Sequence, residues 1–182
     1  MKTRVAELDN KKIIIVDDIV PTGEIEDFFT YVNGLSFYKH ERDDEMDEYP
    51  IFSVDFTPEV FESDTFIGEK AKELLLANYN GNYRLKRSYI NMSCYGDIEF
   101  PHYDCGSDEK DITVLYYVNH KWDYRWGGET LFYSNQDTRI TVLPKPGRFV
   151  LFPGNIEHTG TVPTRICKIP RYSLALKYEL AI

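Results

Sequence analysis

The sequence lacks any stretch approaching the roughly 18 consecutive apolar residues of a membrane-spanning helix, so no membrane partner is expected. Its opening residues, Met1-Lys2-Thr3-Arg4-Val5-Ala6-Glu7, have no apolar run of the kind a secretory leader carries. Cysteine is scarce: Cys94, Cys105 and Cys167 cannot all pair within one chain, and their spacing is no zinc knuckle. A disulfide framework is excluded, and a reducing compartment, the cytoplasm, is the expected location. Basic residues are outnumbered, with 21 Lys and Arg against 30 Asp and Glu for a net charge of -9. That balance speaks against a nucleic-acid partner, which would select a basic face. Internal repeats, low-complexity tracts and Gly/Ser/Pro linkers are also missing. The 182 residues therefore read as one domain, 1–182.

Apolar material is sufficient for a core, at 42% hydrophobic and 15% aromatic residues, which excludes a disordered chain. In the first third, Ile13-Ile14-Ile15-Val16 is a short continuous apolar run that suits a buried strand. Pro21-Thr22 opens a helix in which Ile25, Phe28, Phe29, Val32 and Leu35 recur at helical spacing, with Asn33-Gly34 as a stop. Thr57-Pro58 starts a second helix, striped by Ile67, Ala71, Leu74 and Leu75 and ending at Asn80-Gly81. Between them, Glu41-Arg42-Asp43-Asp44-Glu45-Met46-Asp47-Glu48 is a solvated loop or an acidic rim that would favour a cationic substrate.

From Tyr83 the apolar period changes to two. Strands are expected near 84–95, 100–103, 112–119, 130–133, 140–143, 148–153, 158–162 and 171–179, punctuated by Gly96-Asp97, Gly127-Gly128, Pro144-Lys145-Pro146-Gly147 and Pro153-Gly154-Asn155. Such a run of short strands without intervening helices predicts a mainly β (α+β) fold, a jelly roll of two antiparallel sheets. Residues 1–80 would form a helical support on the outside of one sheet, and 81–182 the β core. Alternation puts Leu85, Arg87, Tyr89, Asn91, Ser93 and Tyr95 on one side of a strand. It groups Thr113, Leu115, Tyr117 and Asn119 on a second strand, and Arg171, Ser173, Ala175 and Lys177 on the last. If these more polar faces converge, the interior holds a wet pocket.

Three groups of residues could carry chemistry. His102 and Asp104, two apart in an extended segment, point the same way and can share one ion. His158 follows the turn at Pro153-Gly154-Asn155; two imidazoles and one carboxylate make the facial triad of non-haem Fe(II) oxygenases, with three positions left open. A structural zinc site would instead want four protein ligands, usually thiolates, and Cys105 should face away from Asp104. Arg171 with Ser173 presents a guanidinium and a hydroxyl suited to a carboxylate. His40 and His120 lack such a setting and read as surface residues. The aromatics of Lys121-Trp122-Asp123-Tyr124-Arg125-Trp126 either pack a turn or stack on a substrate ring at the site mouth.

The order His-x-Asp, then His, then Arg-x-Ser on the final strand resembles the Fe(II)/2-oxoglutarate-dependent dioxygenases, in their prolyl 4-hydroxylase-like branch. The resemblance extends from about Tyr83 to the C-terminus. It includes Cys94-Tyr95-Gly96, Phe100-Pro101-His102-Tyr103-Asp104, Leu115-Tyr116-Tyr117-Val118-Asn119, Trp126-Gly127-Gly128-Glu129-Thr130, Pro144-Lys145-Pro146-Gly147-Arg148 and Arg171-Tyr172-Ser173. It implies a double-stranded β-helix, cupin-like in form, in which His102, Asp104 and His158 bind Fe(II). It also implies that 2-oxoglutarate chelates the metal and sets its distal carboxylate against Arg171, assisted by Ser173 and by Tyr117 or Tyr95. Dioxygen is the third participant, with ascorbate as an accessory reductant. Asp104 stands where radical halogenases keep a small residue, which favours hydroxylation. The segment between His158 and Arg171 is longer than is common in the branch, so Arg165 or Lys168 competes for the anchoring role. The expected substrate is a prolyl peptide or protein, or a small metabolite. A cupin-like metal- or sugar-binding module is the alternative, although it would want a His-x-His pair and leaves the basic anchor unexplained. Oligomeric state is not legible.

Overall fold

Two strands at the N-terminus begin the structure, a computed structural model that describes residues 1–43 and 46–181. β1 (Lys2–Leu8) and β2 (Lys11–Asp17) pair antiparallel around Asp9 and Asn10, both at positive φ. Asp and Asn tolerate that conformation, and its twist matches a two-residue hairpin. α1 (Thr22–Asn33), β3 (Tyr38–Glu41) and β4 (Ile51–Phe56) follow, then α2 (Pro58–Asp64) and α3 (Phe66–Asn78). The rest of the chain is β5 (Tyr83–Ser93), β6 (Ile112–Tyr117), β7 (Thr130–Ser134), β8 (Asp137–Val142), β9 (Phe149–Pro153), β10 (His158–Gly160) and β11 (Arg171–Leu180).

The strands make an eight-stranded sheet in the order β1-β2-β9-β6-β11-β5-β4-β3 and a three-stranded sheet in the order β10-β7-β8. This is the expected pair of antiparallel sheets, and the helices cover the larger one. On the outer side Phe28, Val32, Ile67, Ala71, Leu74 and Leu75 pack against Ile90, Val114, Tyr116, Leu151, Leu174 and Leu176. Between the sheets Ile13, Ile15, Tyr117, Phe132, Val142, Val150, Phe152 and Ile156 form a second core. Each central strand thus feeds two cores through alternate residues, as the pleat requires.

Four differences from the sequence reading have physical causes. Residues 1–80 are more than helical support, because β1–β4 supply four strands of the large sheet and β2 hydrogen-bonds to β9. The expected second helix is two helices. At Thr65 the backbone leaves helical geometry, and the threonine hydroxyl donates to Phe61 O (2.7 Å) while accepting from Gly68 N–H (2.9 Å). Thr65 therefore closes α2 and caps α3 with one group, a local preference that competes with helix continuation. Residues 100–103 form no strand, only an isolated bridge between His102 and His158; Pro101 has no N–H to give a ladder. His120 is half-buried against the Phe29 ring, with centroids 4.2 Å apart, rather than on the surface.

Candidate functional site

The isolated bridge is where the site begins. His102 N–H donates to His158 O (2.9 Å) and His158 N–H to His102 O (3.0 Å), so the two imidazoles stand side by side. Asp104 is fixed one step further by its N–H to Gly154 O (2.8 Å). His102 Nε2 lies 3.5 Å from Asp104 Oδ1, and His158 Nε2 lies 3.5 Å from Asp104 Oδ2. One ligand atom from each of the three residues falls within 4.8 Å of the others. The far nitrogens are also committed: His102 Nδ1 is 3.0 Å from Phe100 O, and His158 Nδ1 is 2.9 Å from Ile156 O. An Nδ1–H donated to a carbonyl fixes the tautomer that leaves the Nε2 lone pair free for a metal. Two imidazoles and a carboxylate suit Fe(II), and the donor set fits that ion.

Charge is arranged to the same end. Burial lowers the His158 imidazole to about 4, although Asp104 pulls the other way, so it stays neutral and able to ligate. Burial also opposes the charge on His102, but the hydrogen bond and charge of Asp104, with Asp43, raise it above its ordinary value. Burial works against the Asp104 carboxylate, yet His158, Lys177 and His102 together hold it well below the usual range. Asp104 Oδ1 accepts from Lys177 Nζ (2.6 Å), and Oδ2 accepts from the Thr113 hydroxyl.

A cavity of about 50 Å³ runs inward from this group between the two sheets. Its far end is Arg171, only 2% exposed. The guanidinium donates to Gly128 O from Nε (2.7 Å), to Ser173 Oγ from Nη1 (3.0 Å) and to Thr130 Oγ1 from Nη2 (3.4 Å). All three acceptors are neutral, and a guanidinium has about five N–H donors, so a buried cation faces the cavity with donors to spare. Gly128 makes this seat possible. Its φ is +76°, and a Cβ there would lie 2.9 Å from Arg171 Cδ.

The residues singled out from sequence divide as follows. His102, Asp104, His158, Arg171 and Ser173 line one cavity. Arg165 and Lys168, the competing cations, are exposed, with Lys168 Nζ donating to Arg165 O (3.3 Å). Tyr117 is buried behind Arg171, whose guanidinium lies 5.5 Å from its ring; its hydroxyl is engaged with Thr130 Oγ1 (2.8 Å) and Val142 O (3.1 Å). It therefore backs the anchor instead of presenting its hydroxyl to the cavity. Tyr95 is a correction: β5 ends at Ser93, alternation stops there, and the Tyr95 ring is 65% exposed in the following turn. Trp122 packs a turn, its Nε1–H donating to Gly127 O (3.0 Å) and its ring edge-on to Trp126.

Sequence reasoning gave no role to several residues in or beside the cavity. Lys177 and Asn91 stand on the faces that alternation assigned, and Asn91 Oδ1 is buried without a partner. Glu99 and Asp43 come from loops, where no periodicity signals direction. Asp43 Oδ2 accepts from Phe100 N–H (2.8 Å), and its Oδ1 is 3.5 Å from His102 Nδ1. Glu41 is buried and paired with both Nη atoms of Arg87. The 41–48 segment is thus not simply a solvated loop; Asp44 and Glu45 lie outside the described residues.

Residues 90–178 match the family model described as the 2OG-Fe(II) oxygenase superfamily. No curated protein matches the chain. Among solved structures, a prolyl hydroxylase from Trichoplax adhaerens, in complex with a hypoxia inducible factor peptide fragment, is 18% identical with a TM-score of 0.66. The match covers 92% of this chain and 83% of that one. The viral collagen prolyl hydroxylase of Paramecium Bursaria Chlorella virus-1, as its 2OG complex, is 17% identical with a TM-score of 0.63, covering 92% and 96%. The non-heme alpha ketoglutarate dependent epimerase SnoN, from nogalamycin biosynthesis, is 13% identical with a TM-score of 0.68, covering 93% and 78%.

Proposed function

We propose that the chain is a member of the 2OG-Fe(II) oxygenase superfamily, whose model matches residues 90–178, and that it hydroxylates an unactivated C–H bond of a prolyl peptide or protein, or of a small metabolite. Fe(II), 2-oxoglutarate and dioxygen are the cofactors of the family. The observation that carries the reading is one cavity with His102, Asp104 and His158 at one end and the buried, under-partnered Arg171 at the other. A dicarboxylate that must reach a metal with one end and a cation with the other fits that spacing of functions.

With 2-oxoglutarate and dioxygen bound, the iron supplies the oxidising chemistry, which yields succinate, CO2 and a hydroxylated product. The chain's own residues orient and shield. Lys177 and Thr113 hold the Asp104 carboxylate, and the Phe100 and Ile156 carbonyls set the imidazoles. Arg171 takes the distal carboxylate of 2-oxoglutarate by charge-assisted hydrogen bonds, with Ser173 and Thr130 holding the guanidinium in place. Leu115, Phe152 and Ala175 line the cavity and keep water from the reacting atoms. The free cysteines Cys94, Cys105 and Cys167 favour a reducing compartment such as the cytoplasm. The prolyl part of the reading is supported by the hydroxylase neighbours.

The purified protein with Fe(II), ascorbate and 2-oxoglutarate is expected to release succinate slowly without a prime substrate. Mass spectrometry on a proline-rich peptide set and a metabolite pool should then find a product heavier by one oxygen. Arg171→Leu is expected to raise the Kd for 2-oxoglutarate about a hundredfold, because the distal carboxylate loses the buried cation at that end of the cavity. Absence of any calorimetric signal for 2-oxoglutarate on the metal-loaded protein would overturn the reading.

A further inference from the structure

We infer that Glu99 is an internal counter-carboxylate of the cavity, which 2-oxoglutarate must drive away from the Arg171 end in order to bind. The inference rests on the proposed function and concerns the same site. Glu99 lines the cavity beside Arg171, Ser173 and Gly160. The Ser93 hydroxyl donates to its Oε1. Its Oε2 sits over Gly160, where a Cβ would lie 2.4 Å from that oxygen and 3.3 Å from both Nη1 and Nη2 of Arg171. Carboxylate and guanidinium therefore converge on the same patch of backbone, and a glycine there gives them room. Glu99 is also within electrostatic reach of Arg171 on one side and of His102 and Asp43 on the other. It stands between the metal ligands and the anchor, on the path that 2-oxoglutarate has to span.

Space points the same way as charge. A cavity of about 50 Å³ holds a few waters. 2-Oxoglutarate would share that space with the Glu99 carboxylate, which lines it. Glu99 belongs to the segment between β5 and His102, with Tyr95 65% and Ile98 53% exposed and Gly96 at φ +98°. This is a surface segment with little packed against it, whereas the strands that carry Arg171 and His158 are buried on both faces. Binding of the co-substrate therefore brings a second carboxylate into the cavity beside Arg171, and Glu99 gives way as the ligand's distal group arrives. Because Glu99 is three residues before His102, and Phe100 between them is tied to Asp43, that displacement also moves the rim on which a prime substrate would dock.

The test is calorimetric titration of 2-oxoglutarate into Mn(II)-loaded protein at pH 8, comparing wild type, Glu99→Gln and Ser93→Ala. Gln keeps the shape and can still accept from Ser93, but it removes the competing charge. A competing charge in the same partly buried cavity makes the expected gain about tenfold in Kd. Ser93→Ala, which frees Glu99 from its tether, is expected to tighten binding by a smaller factor. A Glu99→Gln protein whose Kd is unchanged, or higher, while wild type binds normally, overturns the inference and leaves the proposed function standing. Failure of both proteins to bind overturns the proposed function and the inference with it.

Discussion

Lys177 holds Asp104 by a 2.6 Å bond and is itself half-buried beside the Tyr89 ring, 5.3 Å from its centroid. Burial opposes its charge, but Tyr89 and Asp104 outweigh burial and keep the ammonium protonated. It acts on the metal through the carboxylate, as a positioning residue. Lys177→Met is expected to weaken Mn(II) or Ni(II) binding by roughly ten- to a hundredfold, the usual effect of removing an outer partner of a metal ligand. Lys177→Arg should restore part of the loss, and calorimetric metal titration measures both. Glu99 gives a second prediction at this scale. Burial pushes its carboxyl up to about 7, more than Arg171 lowers it. The folded metal-free protein therefore holds a proton that the unfolded chain releases near the ordinary value of 4.5. Stability from this group is complete below that value and is lost as pH rises through about 7. Urea unfolding of wild type should show that loss between about pH 5 and about pH 8, and Glu99→Gln should show less of it. His158, Arg171 and Ser173 were legible because alternation gives strand residues a direction, and His102 and Asp104 because a spacing of two in an extended segment brings both to one side. Glu99 and Asp43 were not, since loop residues acquire direction only from what the loop packs on.

β11 is the element on which the site depends most. Its Arg171, Ser173 and Ala175 line the cavity and Lys177, on the same face, reaches Asp104, while Tyr172, Leu174, Leu176 and Tyr178 enter the core under the helices. Arg171 reaches its place only because the Gly127-Gly128 turn approaches closely. Gly128→Ala is expected to cost about 1–3 kcal/mol, since alanine is strained at positive φ. It should also weaken 2-oxoglutarate binding, because the added methyl meets Arg171 Cδ. Thermal unfolding and calorimetry read the two effects separately. The pattern of β11 was plain in the sequence, eight alternating residues with no Gly or Pro. β1, β3 and β4 were missed: the edge strands β3, exposed along Tyr38, Lys39 and His40, and β1, mostly exposed, carry no buried stripe, and β4 buries only Ile51 and Ser53. Edge strands are held by pairing partners that the local sequence does not contain.

At the scale of the molecule the two cores lie on either side of one sheet. Leu174, fully buried in the outer one, is not among the residues that line the cavity. Leu174→Ala is expected to destabilise by about 2–5 kcal/mol through transfer and cavity terms, as measured by urea unfolding. Ligands act in the opposite direction. Metal and 2-oxoglutarate bind only the folded arrangement of residues from β5, β10, β11 and the 94–111 segment, so each raises stability by mass action. With 2-oxoglutarate at about a hundred times its Kd, the metal-loaded protein should gain about 2.7 kcal/mol, or roughly 5–10 °C in Tm for a chain of this size. No shift with 2-oxoglutarate in the presence of Mn(II) would contradict that coupling.

What the sequence determined by itself was whatever depends on local period and residue chemistry. Period-two runs made two sheets, helical stripes made their cover, and a histidine two residues before an aspartate, with a later histidine, made one donor set for a metal. What only the tertiary structure decided was which groups meet across elements. Arg171 was separated from Arg165 and Lys168, Tyr95 was turned outward, and Glu99 and Lys177 were brought beside the co-substrate and metal ends of one cavity. Direction along a strand is fixed every second residue by the pleat, whereas the end of a loop is fixed by closure against distant partners.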